Sequence, residues 1–319
     1  MESLIFSLNA TIPIFLVMLF GYSIKNTKLV NPTFTSMLNT FNYKVTLPVL
    51  LFYDLANADF KSVWNTKYVL YCFFVTLICI LVTWLVSWLI LRWKPTTKAL
   101  IGEFVQASYR GSAAVLGIAF IQNIYGVSII GPLMILGTVP LYNFMAVVIL
   151  IFTDPTNSHV DAKTIKKSLI GILTNPMIIS IFLGLIMSLL PINIPVMINK
   201  TLAMIAQLAS PLALIALGAS IEGRKAISMI RPTIFTVMIK LIIQPLIFLP
   251  VAVSFGFRGE QLVALLVMLG APTTVSSFIM AKNMNHEGVL TSSAVVASTF
   301  LSSITMTFWI YWLRSRGLI

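Results

Sequence analysis

The sequence predicts an all-α integral membrane protein: ten transmembrane helices in two inverted five-helix repeats, with the fourth and ninth helices interrupted. Three observations lead there. The chain of 319 residues is 58% hydrophobic and 9% charged, where a soluble domain carries roughly 25% charged residues. Apolar runs of the length needed to span a bilayer recur along its whole length. The first half is also written again in the second.

The repeat is marked by proline and glycine. Pro13, Gly21, Pro32 and Pro48 recur as Pro176, Gly184, Pro195 and Pro211, each 163 residues on. Asn123 and Gly126 recur as Asn285 and Gly288 at an offset of 162. An ordered run of such matches in an apolar chain marks a secondary transporter built from two related halves. Prolines are frequent in membrane helices, so these pairs argue for shared ancestry of the halves and not for solute contact.

The apolar runs place spans at roughly 4–24, 35–56, 67–91, 98–122, 127–152, 167–190, 196–220, 232–255, 260–282 and 289–313. The first run has no basic flank before it and is read as a span and not a signal peptide. The repeats are then 1–152 and 169–319, joined by a cytoplasmic linker at 153–168. Five spans per half is odd, so the halves enter the membrane from opposite sides.

Basic residues orient the chain. One side collects Lys25, Lys28, Arg92, Lys94, Lys98, Lys163, Lys166, Lys167, Arg224, Lys225, Arg231 and Lys282. The other collects Lys61, Lys67, Lys200, Arg258, Arg314 and Arg316. The richer side is cytoplasmic, which leaves both termini extracellular in the cell membrane. The net charge of +12 is thereby assigned to loops that meet anionic lipid, and not to nucleic acid. Cys72 and Cys79 stand seven residues apart in one apolar run, about 10 Å on a helix, too far for a disulfide.

Three basic residues remain inside spans: Lys44, Arg110 and Lys240. Lys44 and Lys240 are read as snorkelling. Arg110 lies about 18 Å of helix beyond Lys98, near the midplane. A charge there costs at least ~2.5–3.5 kcal/mol and needs a partner, water or ligand. Its context is Ser108-Tyr109-Arg110-Gly111-Ser112-Ala113-Ala114. Gly111 and the small residues after it let the helix break. The corresponding place in the second half is Gly270-Ala271-Pro272-Thr273-Thr274, where Pro272 removes a backbone donor.

Two interrupted helices, one bearing an arginine, predict a midplane site for an anion. Arg110 would grip a carboxylate in bidentate geometry. Gly111, Ser112, Pro272, Thr273 and Thr274 complete the candidate set, the hydroxyls as donors. The competing reading pairs Arg110 internally with Glu103 or Asp54. Glu103 is also the candidate for ion coupling, against capping a span end; Asp54 reads as a solvated end. Gln207 and Gln244 read as interhelical glue, Asn123 and Asn285 as helix caps. No cofactor or metal is expected.

The ten spans, together with Tyr109-Arg110-Gly111-Ser112 followed by Leu116-Gly117-Ile118, resemble the auxin efflux carrier family over essentially the whole chain. Prokaryotic members of that family include proteins named as malate permeases. Two departures stand near the motif: the family often has asparagine at Ser112 and proline at Ala119. The resemblance implies a fold like that of bile-acid sodium symporters and sodium/proton antiporters. In it spans one, two, six and seven form a scaffold. Spans three to five and eight to ten form a transport domain, in which the broken fourth and ninth spans cross. The transport domain slides along the scaffold, and homodimers through the scaffold occur among relatives.

The expected function is a secondary transporter of a small organic anion, a carboxylate such as malate, working by an elevator mechanism. Alternatives are a sodium- or proton-coupled symporter and a solute sensor of the same fold. An enzyme is not expected: His159 and His286 fall in loops, and Asp54 is the only aspartate within a span.

Overall fold

The computed structural model describes residues 12–13, 16–25, 27, 30–57, 65–91, 95–113, 118–125, 130–155, 170, 173–190, 194–220 and 228–319. The linker from residue 156 onward lies outside them, with His159 and most of the cytoplasmic basic residues. So do the first residues of the first span, Gly126, and the side chains of Lys98 and Asn123.

Among the described residues the regular secondary structure is helical, joined by turns and short connections, with one isolated bridge at the helix breaks. The helices are α1 (Leu16–Lys25) and α2, which runs as Pro32–Phe41, a π-turn Asn42–Thr46 and Leu47–Ala56. Then follow α3 (Thr66–Leu91), α4 (Pro95–Tyr109), α5 (Ile118–Tyr125), α6 (Gly131–Phe152), α7 (Pro176–Leu189) and α8 (Val196–Ser220). Next, α9 is Ile230–Met238, a π-turn Ile239–Ile243 and Gln244–Ser254. Last come α10 (Gly259–Gly270), α11 (Val275–Asn283) and α12 (Val289–Ser315). Five segments, Thr66–Leu89, Leu133–Phe152, Val196–Ala219, Ile230–Ser254 and Val289–Ser315, are long and apolar enough to cross a membrane. At ~1.5 Å per residue each reaches about 30 Å or more, the thickness of the hydrocarbon core. Shorter apolar helices α1, α7 and α10 accompany them.

Helix starts are set by local chemistry. Asn31 accepts from the Phe34 N–H at 2.7 Å and Asn175 from the Met177 N–H at 2.9 Å, each with a proline opening the helix behind it. Both π-turns precede a proline. Pro245 has no N–H to give the Leu241 carbonyl, and the Trp309 indole of α12 donates to that oxygen instead, at 3.0 Å. In α2, the buried Asn42 donates across to the Ala209 carbonyl of α8 at 2.9 Å and accepts from the Thr46 hydroxyl at 2.7 Å.

Two sets of helices pack among themselves. The second half of α2 lies along α7 and α8. Gly21 of α1 meets the Ile215 backbone of α8: a Cβ there would stand 2.4 Å from the Ile215 carbonyl oxygen. Gly184 of α7 meets Phe52 of α2, where a Cβ would stand 3.0 Å from its carbonyl oxygen. Close approach of backbones at small residues is what holds helices together where lipid replaces water. In the other set, α3 packs on α4 and α6, and α9 on α10 and α12, with α12 also against α4.

Candidate functional site

The interrupted helices meet at their breaks. Gly111 and Thr273 form an antiparallel bridge. The Ser112 N–H donates to the Pro272 carbonyl at 2.9 Å and the Thr274 N–H to the Arg110 carbonyl at 3.3 Å.

The C-terminal end of α4 is buried here, so its last four carbonyls need donors from elsewhere. Each finds one. Gln106 O accepts from the Arg110 N–H at 3.1 Å, Ala107 O from the Thr273 hydroxyl at 2.8 Å, Ser108 O from the Gln244 amide at 3.0 Å and Tyr109 O from Lys240 Nζ at 3.1 Å. Gln244 is thus interhelical glue, as its type suggests.

Lys240 does not snorkel. It is fully buried, and its ammonium also donates to the Met268 carbonyl near the end of α10, at 3.0 Å. The physical reason is electrostatic. Two helix C-termini point at one spot, each carrying about half a negative charge, and a single cation between them nearly balances both. A Cβ on Gly111 would stand 3.0 Å from Nζ, so glycine leaves the ammonium its place. Lys44, by contrast, is exposed.

Arg110 has no such compensation. It is 2% exposed, and its hydrogen-bond partners are all neutral: Asn143 Oδ1, the Ser276 hydroxyl at 3.3 Å, Gln106 Oε1 at 3.4 Å and Met280 Sδ. Its Nε is buried with no partner. Neither Glu103 nor Asp54 pairs with it. The charge is held in place by amide, hydroxyl and thioether, which orient the fork but do not neutralise it.

A cavity of about 140 Å³ opens at this point. One wall is the crossing, residues 110–113 and 272–276, with Tyr142 and Asn143 of α6. The other is Leu47, Leu50, Leu51 and Asp54 of α2, Met177 of α7, and Ala209, Ser210, Ala213 and Leu214 of α8. The space accommodates several waters or a small organic molecule.

The structure thus brings Arg110, Gly111, Ser112, Pro272, Thr273 and Thr274 to one cavity wall. Their polar groups are not equally free. The hydroxyl and N–H of Thr273 are engaged by Ala107 O and by Ser298 Oγ at 2.9 Å. Thr274 Oγ1 shares a 2.9 Å hydrogen bond with Ser276. Glu103 stands apart. Buried at the start of α12, it accepts from the Gly288 N–H at 2.8 Å, and from the Thr291 N–H at 3.1 Å and hydroxyl at 3.3 Å. Asn285 adopts φ 64° just past α11, and the His286 N–H reaches back to Ala281 O at 3.0 Å, a left-handed helix cap.

Asn143, Ser276, Met280 and the linking role of Lys240 are not read from the sequence. Asn143 had a signal, as a lone amide within the apolar run of α6. Asp54 does not lie at a solvated end; it lines the cavity, half-buried.

The family model described as "Membrane transport protein" matches residues 6–310. "Uncharacterized transporter YfdV" of Escherichia coli (strain K12) is 23% identical over 312 residues, 97% of this chain and 98% of that protein. "Putative malonate transporter" of Rhizobium meliloti (strain 1021) is 24% identical over 145 residues, 45% of each chain.

Proposed function

Because this chain belongs to the membrane transport protein family, that of the auxin efflux carriers, and is a multi-pass membrane protein, we propose that it is a secondary carrier of a small organic anion. The solute is a carboxylate such as malate, held at Arg110. The single observation that carries this reading is a buried guanidinium with only neutral partners and an unpaired Nε, lining a cavity. A desolvated positive charge there costs several kcal/mol, and an anion offsets it. The first N–H groups of α11 point their dipole the same way. The relative named as a malonate transporter fits this solute class.

The carrier consists of ten spans in two inverted repeats. Paired contacts support this. Gly21 with Ile215 and Gly184 with Phe52 are the same contact displaced by 163 residues, since 52 plus 163 is 215. The Ser112–Pro272 and Thr274–Arg110 hydrogen bonds are likewise images of each other at an offset of 162. The four-helix set α1, α2, α7 and α8 acts as scaffold. The remaining helices carry the crossing, and the site moves by sliding of one set along the other. The position of the cavity between the two sets supports that division. The basic-residue asymmetry supports both termini outside and contact with anionic lipid on the cytoplasmic face. A homodimer forms through the scaffold.

The membrane potential supplies ~2.3 kcal/mol per charge per 100 mV for a charged solute. Sodium- or proton-coupled symport would place its ion at Glu103, whose oxygens already take three donors, and that favours the uncoupled reading. The test is uptake of a panel of labelled carboxylates into proteoliposomes, wild type beside Arg110→Ala, with potential and pH gradients imposed separately. Saturable uptake lost in a folded mutant is expected. Unchanged uptake assigns Arg110 a structural role and overturns the site.

A further inference from the structure

Asp54, on α2, and Arg110, at the crossing, line one cavity from the two different helix sets and do not pair with each other. Asp54 is the only acid among the lining residues. It makes no hydrogen bond or ion pair among the described residues, so its carboxylate oxygens are free to accept. Its own wall supplies little to solvate it: apart from Ser210, the other lining side chains of α2, α7 and α8 are apolar. The cavity is therefore bipolar, with a fixed positive group at one wall and an acceptor-only negative group at the other.

We propose that the transported carboxylate bears, at its end away from Arg110, a hydrogen-bond donor or a positive group, and that Asp54 receives it. This rests on the reading of the site as a carboxylate carrier. A donor facing Asp54 makes a charge-assisted hydrogen bond, about twice as strong as a neutral one. An apolar end leaves the Asp54 charge unpaired in a partly desolvated cavity. A second ionised carboxylate sets like charges against each other at low effective dielectric. Malate carries a second carboxylate at that end and meets the requirement only as its monoanion, whose protonated carboxyl donates to Asp54. Asp54 is a specificity-determining residue, and it selects by repulsion as well as by attraction.

Four compounds of one length isolate the far end: butyrate, 4-hydroxybutyrate, 4-aminobutyrate and succinate. Kd is measured for each by titration calorimetry on purified full-length protein, wild type, Asp54→Asn and Arg110→Ala. In the wild type, 4-aminobutyrate and 4-hydroxybutyrate are expected to bind about tenfold or more tighter than butyrate, with succinate weakest. The asparagine amide donates as well as accepts, so Asp54→Asn raises succinate and lowers 4-aminobutyrate, reversing their order. Arg110→Ala weakens all four. Succinate binding as tightly as the donors in the wild type overturns the proposal without any variant, as does an unchanged order in Asp54→Asn. Retained butyrate binding shows that this variant is folded. Butyrate binding with no preference at the far end removes this inference and leaves the carrier; no binding of any of the four removes both.

Discussion

Gly111 and Thr273 pair across the crossing of the two broken helices, and they stand 162 residues apart, the offset that also relates Asn123 to Asn285. The two hydrogen bonds that flank the bridge, Ser112 to Pro272 and Thr274 to Arg110, are related by the same offset, as the proposed repeat requires. The cavity, Arg110 and Lys240 all lie around this spot, with Lys240 at the helix C-termini and Arg110 on the cavity side.

Arg110→Lys tests whether the site needs a fork or a charge. An ammonium keeps the charge but cannot reproduce the contacts to Asn143, Ser276 and Gln106 from one planar group. Uptake is expected to fall about tenfold or more, with the melting temperature little changed. Kinetics of uptake beside a thermal melt in detergent separate the two effects; full activity in the lysine variant argues for a simple point charge.

Lys240→Met removes the cation between two helix ends and leaves the Tyr109 carbonyl unpaired, while Met268 O keeps its hydrogen bond from Tyr142. A buried carbonyl without a donor costs about 1–3 kcal/mol, so a clear fall in thermal stability is expected. Lys240→Arg is expected to recover part of it. Equal stability of Lys240→Met and wild type would show that the helix ends need no counter-charge.

Glu103→Gln distinguishes capping from ion coupling. The neutral amide keeps one oxygen to accept from either the Gly288 or the Thr291 N–H, turns its NH2 towards the other, and loses the favourable charge at the α12 N-terminus, worth about 0.3–1 kcal/mol. A loss of stability with unchanged response of uptake to sodium and pH gradients is expected. Loss of a gradient dependence present in the wild type would assign the coupling ion to this carboxylate.

Gly218→Ala places a Cβ 2.0 Å from the Met18 carbonyl oxygen, a clash that only movement of the α1 or α8 backbone can relieve. A cost of about 1–3 kcal/mol or more is expected, read as a lowered melting temperature. Ala219→Gly, one position along the same helix, controls for the helix itself.

The sequence by itself determined the membrane class, the helix positions and the two breaks. These follow from quantities local in the chain: apolar length, a missing proline N–H at 272, a glycine at 111, and a charge that bilayer lipid cannot solvate. Helix α8 at Val196–Ser220 and the expected run 196–220 coincide for that reason. Only the tertiary structure decided what each buried polar group touches. Lys240 and Lys44 look alike in sequence, each a lysine in an apolar run before a proline. One meets two helix ends and the other is exposed, because the difference lies in elements more than 100 residues away from Lys240 at Tyr109. Asp54 departs from its expected solvated end for the same reason and lines the cavity, while Glu103, for which capping is one of the two readings, meets the N-terminus of α12. Local pattern fixes where a charge sits along its helix, and long-range packing fixes which way it looks and what compensates it.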